Sequence, residues 1–245
     1  MCHLFFHILL GYYIMDVLKP GTDTKPSFQS KVRVAIIAGA IDYCDYFINY
    51  DYLIVSDAFI KNNYYIISAV EGNYLHLTGV KTALSATHFF KKCIAADAPL
   101  QESDFSISEA IDPLLPKNVQ KSQKTRAKGN VRRKIQALPK IKGIFHNPDT
   151  LVEEDFVKNR VHCTIAAKKE ISTMGFIKAS SIDPCSVKPN TLLKEQSLSP
   201  NAKPIKLALR RKRGDKLFNE ITIGDKKILD ECACFLKDLI STDLL

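Results

Sequence analysis

One histidine stands where its chemistry could be used. His76 lies in the run Tyr74-Leu75-His76-Leu77-Thr78-Gly79, after a break at Glu71-Gly72-Asn73 and ahead of a helix. An imidazole, with an unperturbed pKa of about 6.5, can take or give a proton near neutral pH. Lys81, five residues on, is the nearest cation. The chain holds no Gly-rich phosphate loop, no nucleophile elbow and no His-Glu-x-x-His, and its carboxylates are scattered. Nucleotide-binding, serine-hydrolase and zinc-protease chemistry therefore lack support. What remains is one histidine motif and a supply of cations. The plainer reading of His76 is a turn histidine whose ring bonds a backbone carbonyl. His88, His146 and His162 read as structural or exposed.

Charge says where the anion would go. The 245 residues carry a formal net charge of +9, spread unevenly: net −4 over 1–116, +10 over 117–142 and +3 over 143–245. The middle segment has 10 basic residues and no acidic one. A polyanion is the expected partner of such a segment, because cations that neutralise phosphates release condensed counterions. A solvated charged loop is the alternative. The seven cysteines show no Cys-x-x-Cys spacing, and Cys232 and Cys234 point to different faces of a helix, so a reducing, cytoplasmic setting and no metal are expected. The apolar first fifteen residues are too short to span a membrane and lack the features of a signal peptide. They read as an upstream extension before Met15 or as an element packed on the body.

The elements that must hold these groups alternate between two periods. Residues 28–48 read as a largely buried helix, with Asp42, Asp45 and Asn49 on one face at its end. Residues 52–58 and 64–70 read as a β-hairpin. Ser85 suits the N-cap of a helix that turns Phe89, Phe90, Cys93 and Ile94 inward and His88, Lys91 and Lys92 outward. Residues 109–130 read as a linker or mobile loop, and a helix after them should kink or end at Pro139, with Arg132, Arg133 and Lys134 on or beside its solvent side. Later runs at 161–167, 173–178, 205–212 and 217–223 read as strands, and an amphipathic helix follows Gly224 with Asp225 at its start. Helices first and strands later predict an α+β fold. The expected organisation is an N-terminal extension over 1–27 and a single domain over 28–245.

Residues 66–105 resemble the phage-type barnase-EndoU-colicin-RelE-like nuclease group, in particular its fourth subgroup. The likeness lies in an apolar strand, the Tyr74-to-Gly79 motif and a helix with paired aromatics. It continues through a lysine-rich helix near 128–145, the strand beginning Val161-His162-Cys163, Gly175-Phe176, Pro189-Asn190-Thr191-Leu192-Leu193 and a basic strand pair, over residues 50–225. The resemblance implies a metal-independent ribonuclease fold without cofactor, with helices packed on a small, mainly antiparallel sheet. In such an enzyme His76 transfers protons as the 2′-hydroxyl attacks, Lys81 contacts the scissile phosphate, Thr191 offers a hydroxyl after the turn at Pro189-Asn190, and Arg210 supplies a strand cation.

Lys128, Arg132, Arg133, Lys134 and Lys212 are the expected RNA contacts. Each candidate also has a plain reading: an exposed lysine, a turn-stabilising threonine, solvated strand cations. Arg210 and Lys212 share one face of their strand and Arg211 and Arg213 the other, and spacing does not say which meets phosphate. Tyr64, Tyr65 and Tyr74 suit either base stacking or packing. The leading reading is a phage- or mobile-element-associated ribonuclease, with a toxin role and an antitoxin-like inhibitor protein among its options. The alternatives are a non-catalytic RNA- or DNA-binding module that uses residues 117–142, and an interaction protein with a degenerate site.

Overall fold

The computed structural model describes residues 27–107, 114–158 and 160–244. The expected N-terminal extension lies outside these residues except for Ser27. The described residues form two compact units, one within 27–42 and 71–139 and one within 43–70 and 140–244.

The first unit is helical. Helix α1 (Phe28–Tyr43) buries Val32, Ala35, Ile36 and Ala40. A short helix α2 (Tyr74–Thr78) stands where the sequence suggested a turn. Tyr74, buried on it, donates its hydroxyl to the Ile36 carbonyl at 2.5 Å and meets Phe90 edge-on at 5.5 Å. Helix α3 (Ala86–Ile94) begins as expected, with the Ser85 side chain accepting from the His88 amide. Phe89, Phe90 and Cys93 face inward and His88 is exposed, but Ile94, the last residue of the helix, is 43% exposed rather than inward.

Residues expected as a linker or mobile loop are helical from Lys117: helix α4 (Lys117–Ala137) spans 21 residues and buries Val131, Ile135 and Ala137. Pro139 ends it, and the chain tightens into a 3₁₀ segment, Leu138–Gly143. Lys134 was expected at the solvent side. Its stem instead packs over Gly79, and its ammonium donates to the His76 carbonyl at 2.6 Å. A side chain at Gly79 would collide with that stem, and the left-handed backbone there, φ 75°, favours glycine in any case. Burial disfavours the Lys134 cation and brings its pKa down to about 8.

The second unit is a nine-stranded sheet, in spatial order β7-β3-β4-β5-β6-β2-β1-β8-β9. Its strands are β1 (Tyr50–Val55), β2 (Tyr65–Ile67), β3 (Leu151–Lys158), β4 (Val161–Lys169), β5 (Ser172–Lys178), β6 (Ser186–Lys194), β7 (Lys203–Pro204), β8 (Leu207–Lys212) and β9 (Glu220–Ile223). The α+β class holds, but the sheet is large where a small one was expected, and it is mixed: β2 and β6 run parallel. The remaining pairings are antiparallel, including the expected β1–β2 hairpin. Helix α5 (Lys226–Leu236), capped by Asp225, covers one face with Leu229, Cys232 and Leu236 against Leu53, Val55, Leu207 and Leu209. The opposite face carries an aromatic layer in which Tyr52 lies 5.0 Å from Phe145, and Phe145 5.9 Å from Phe176.

The β1–β8 register pairs Asp51 with Arg211 and Tyr52 with Arg210. Asp51 is buried, and Arg211 and Arg213 each approach its carboxylate at 3.2 Å. Arg213 also donates to the Ala69 carbonyl at 2.6 Å. This pair therefore serves the fold. Asp51→Ala should destabilise the protein by about 2–3 kcal/mol in urea unfolding, since it leaves two partly buried guanidinium groups without their counter-charge. A loss under about 0.5 kcal/mol, the scale of an ordinary surface change, would show that solvent carries them instead.

Candidate active site

His146 sits just after the 3₁₀ segment Leu138–Gly143, on the aromatic face of the sheet. Its amide donates to the Gly143 carbonyl at 3.2 Å, and Thr222 from β9 donates its hydroxyl to the Phe145 carbonyl at 2.7 Å. These bonds fix the loop. The half-buried ring hydrogen-bonds through Nε2 to the Tyr52 hydroxyl at 3.1 Å, the donor depending on the tautomer. Tyr46 meets the ring edge-on at 5.7 Å. That tyrosine comes from a π-helical turn, Cys44–Ile48, closed by the Asn49 amide on the Cys44 carbonyl at 3.1 Å. Such wide turns re-aim side chains and recur at functional sites.

Cations surround this imidazole. Arg210, directly across from Tyr52, lies over the Tyr50 ring at 4.3 Å and donates to Glu220 at 2.7 Å. Lys169, at the end of β4, brings its ammonium over Gly143, where any larger residue would collide with it. Burial first, and then the positive charge of Arg210 and Lys169, hold His146 below the usual histidine range, with Glu220 opposing. Burial raises the Tyr52 phenol, so it stays protonated. The result is a neutral imidazole with one nitrogen held by a phenol, beside two cations and a carboxylate on a partly exposed surface. Such a group can accept a proton while its neighbours hold a phosphate.

Residues 35–227 match the family described as phage-Barnase-EndoU-ColicinE5/D-RelE like nuclease4. The chain belongs to this nuclease family. No curated protein and no solved structure matches it.

In this family member the residues expected to act together fall in both compact units. His76 and Lys81 belong to the helical unit, and Thr191, Arg210 and Lys212 to the sheet unit. His76 is exposed on α2, with its carbonyl taken by Lys134. Lys81 is exposed, its backbone bridged to Ser106 at 2.7 and 2.9 Å. Thr191 was expected on a turn, yet it lies within β6 and is buried. A bulge at Gly175/Phe176 sets Pro189 opposite Phe176 and Thr191 opposite Gly175, so Thr191 faces away from the aromatic layer. Arg210 lies in the same unit as His146 and its charge acts on that imidazole. Lys212 is exposed on the Arg210 side of β8.

Among the expected RNA contacts on α4, Arg133 is exposed and held by Asn130 at 2.6 Å. Lys128 and Arg132 lie 5.3 and 5.1 Å from the centre of the Phe28 ring. Among the described residues, no group of three His, Cys, Asp or Glu side chains could hold a metal ion, and no helix is long and apolar enough to cross a membrane.

In sequence His146 reads as structural or exposed, and Lys169 and Glu220 belong to no motif. The usable signal was the hairpin tyrosines together with the alternating basic strand.

The His146 imidazole should titrate below the ordinary histidine value in NMR, and Arg210→Gln should raise it, since one cation is gone and Glu220 is released. Because the folded-state pKa is depressed, this group's contribution to stability is present above the unfolded value of about 6.5 and is lost as pH falls through the folded one. An unchanged titration in Arg210→Gln would remove Arg210 from the electrostatics of the site.

Proposed function

We propose that the chain is a metal-independent ribonuclease whose chemistry is centred on His146. The observation that carries this reading is the neutral imidazole held by Tyr52 beside Arg210 and Lys169, in a chain of a nuclease family. In the tautomer whose Nε2–H donates to the Tyr52 hydroxyl, Nδ1 carries the lone pair and takes the proton of a 2′-hydroxyl as that oxygen attacks the adjacent phosphorus. Arg210 and Lys169 meet the charge on the non-bridging oxygens. The imidazolium then gives its proton to the departing 5′-oxygen, so the products are a 2′,3′-cyclic phosphate and a free 5′-hydroxyl, and the imidazole is neutral again. Glu220 holds the Arg210 guanidinium in place. His76, with Lys81, is the competing centre, and an exposed ring on a five-residue helix supports it less. A cytoplasmic toxin restrained by an inhibitor protein is the cellular role in keeping with this chemistry.

Purified protein incubated with RNA and a chelator should cleave it, leave cyclic phosphate ends and spare DNA, which has no 2′-hydroxyl. His146→Gln should lower the rate about a hundredfold to ten-thousandfold, and His76→Ala much less. Metal dependence, cleavage of DNA at a similar rate, or the reverse order of the two histidine variants would each sink the scheme.

A further inference from the structure

Helix α4 contains eight lysines and arginines and no acidic residue. Three features of its first four turns work against it. Lys117 and Lys121, and Lys124 and Lys128, are like charges at i,i+4, which repel on a helix surface. The cations of its first turns oppose the positive end of the helix dipole, and Pro116 at the N-cap offers no side-chain cap. No residue before Val131 is buried, while Ser122, Thr125, Gly129 and Asn130 are weak helix formers. Lys117, Lys121, Lys124 and Arg126 are all exposed, and none makes an ion pair among the described residues. A bound polyanion relieves the charge repulsion and the dipole conflict together.

The surface also has a shape. Asn118, Lys121, Ser122, Thr125 and Arg126, at spacings of three and four, line one open depression on a single side of the helix. Their short hydroxyl and amide side chains let a phosphate chain approach closely, with Lys121 and Arg126 placed to meet its charges. One turn further on, space around Gly129 is open: a side chain there would meet nothing within 4 Å.

We propose that residues 117–130 are a docking surface for the RNA backbone, outside the His146 centre, and that phosphate contacts stabilise this part of α4. The inference rests on the ribonuclease reading only in taking RNA as the polyanion. Contacts of this kind position a substrate without reading its bases. A lipid surface fits less well, because the stretch presents no large apolar side chain for insertion and Val119 is half-buried. A protein partner would need an aromatic or apolar anchor, and the depression has none.

The test uses the full chain carrying His146→Gln, so that RNA is bound without being cut. Lys117, Lys121, Lys124 and Arg126 are changed together to glutamine, a good helix former. Affinity for an unstructured RNA oligonucleotide should fall tenfold or more. The slope of log affinity against log salt should flatten by about 3, since each lost phosphate contact removes about 0.7. Amides 117–130 of the parent should exchange more slowly with RNA present. The same affinity and slope in both proteins, no RNA binding by either, or equal binding to phosphatidylserine vesicles would overturn the proposal. Failure of the wild-type chain to cleave RNA would overturn the ribonuclease reading alone, because this binding assay does not depend on turnover.

Discussion

The pairing of β1 with β8 is the constraint on which the sheet unit depends. Adjacent residue pairs lock its two faces: Asp51 with Arg211 on one, Tyr52 with Arg210 on the other. A slip of β8 by one residue would carry Arg210 to the face covered by α5 and turn Leu207 and Leu209 toward the aromatic layer. A buried carboxylate makes that slip costly, because any register that separates it from its guanidinium partners leaves an unpaired charge in a poorly solvating place. With the register held, Leu207 and Leu209 meet α5, and Tyr52 packs on Phe145, the residue that carries His146 into position.

The electrostatics of the His146 centre follow from that placement. Two cations and partial burial act on one imidazole, while the only carboxylate among the charges that shift it, Glu220, is engaged with Arg210. Burial first and then the cations prevail over that carboxylate, and the ring favours its neutral form. The same arrangement sets positive charge beside the ring. Tyr52 and Thr222 contribute by position: one fixes a ring nitrogen and the other the carbonyl just before it.

In the helical unit the residues around His76 are held by packing and capping. Tyr74 and Leu77 are buried, Gly79 ends α2 in a left-handed conformation, and Lys134 is drawn over Gly79 to reach the His76 carbonyl. Packing and capping account for these residues without calling on the His76 ring. Lys134 shows the limit of counting charge along a sequence: one cation of the most basic segment is tied to a backbone carbonyl, while those of the first turns remain outside.

Local patterns were legible in the chain. The buried first helix, the β1–β2 hairpin, the Ser85 cap, the stop at Pro139 and the amphipathic α5 rest on periodicity, capping and backbone restriction, all of which act within a few residues. The family, too, was legible in the short run around His76. The first turns of the helix over Lys117–Ala137 were not, because they have almost nothing apolar to set a period. The strand holding Thr191 was hidden by Pro189-Asn190, which read locally as a turn and is accommodated by a bulge. Tertiary structure alone decided the site. The neighbours of His146 come from a π-turn, β1, β4, β8 and β9, and long-range pairing brings them together. Sequence determined which side chains could transfer protons or carry charge. Which of them meet depends on strand register and loop bonds, and those are settled only when the sheet closes around its buried charge.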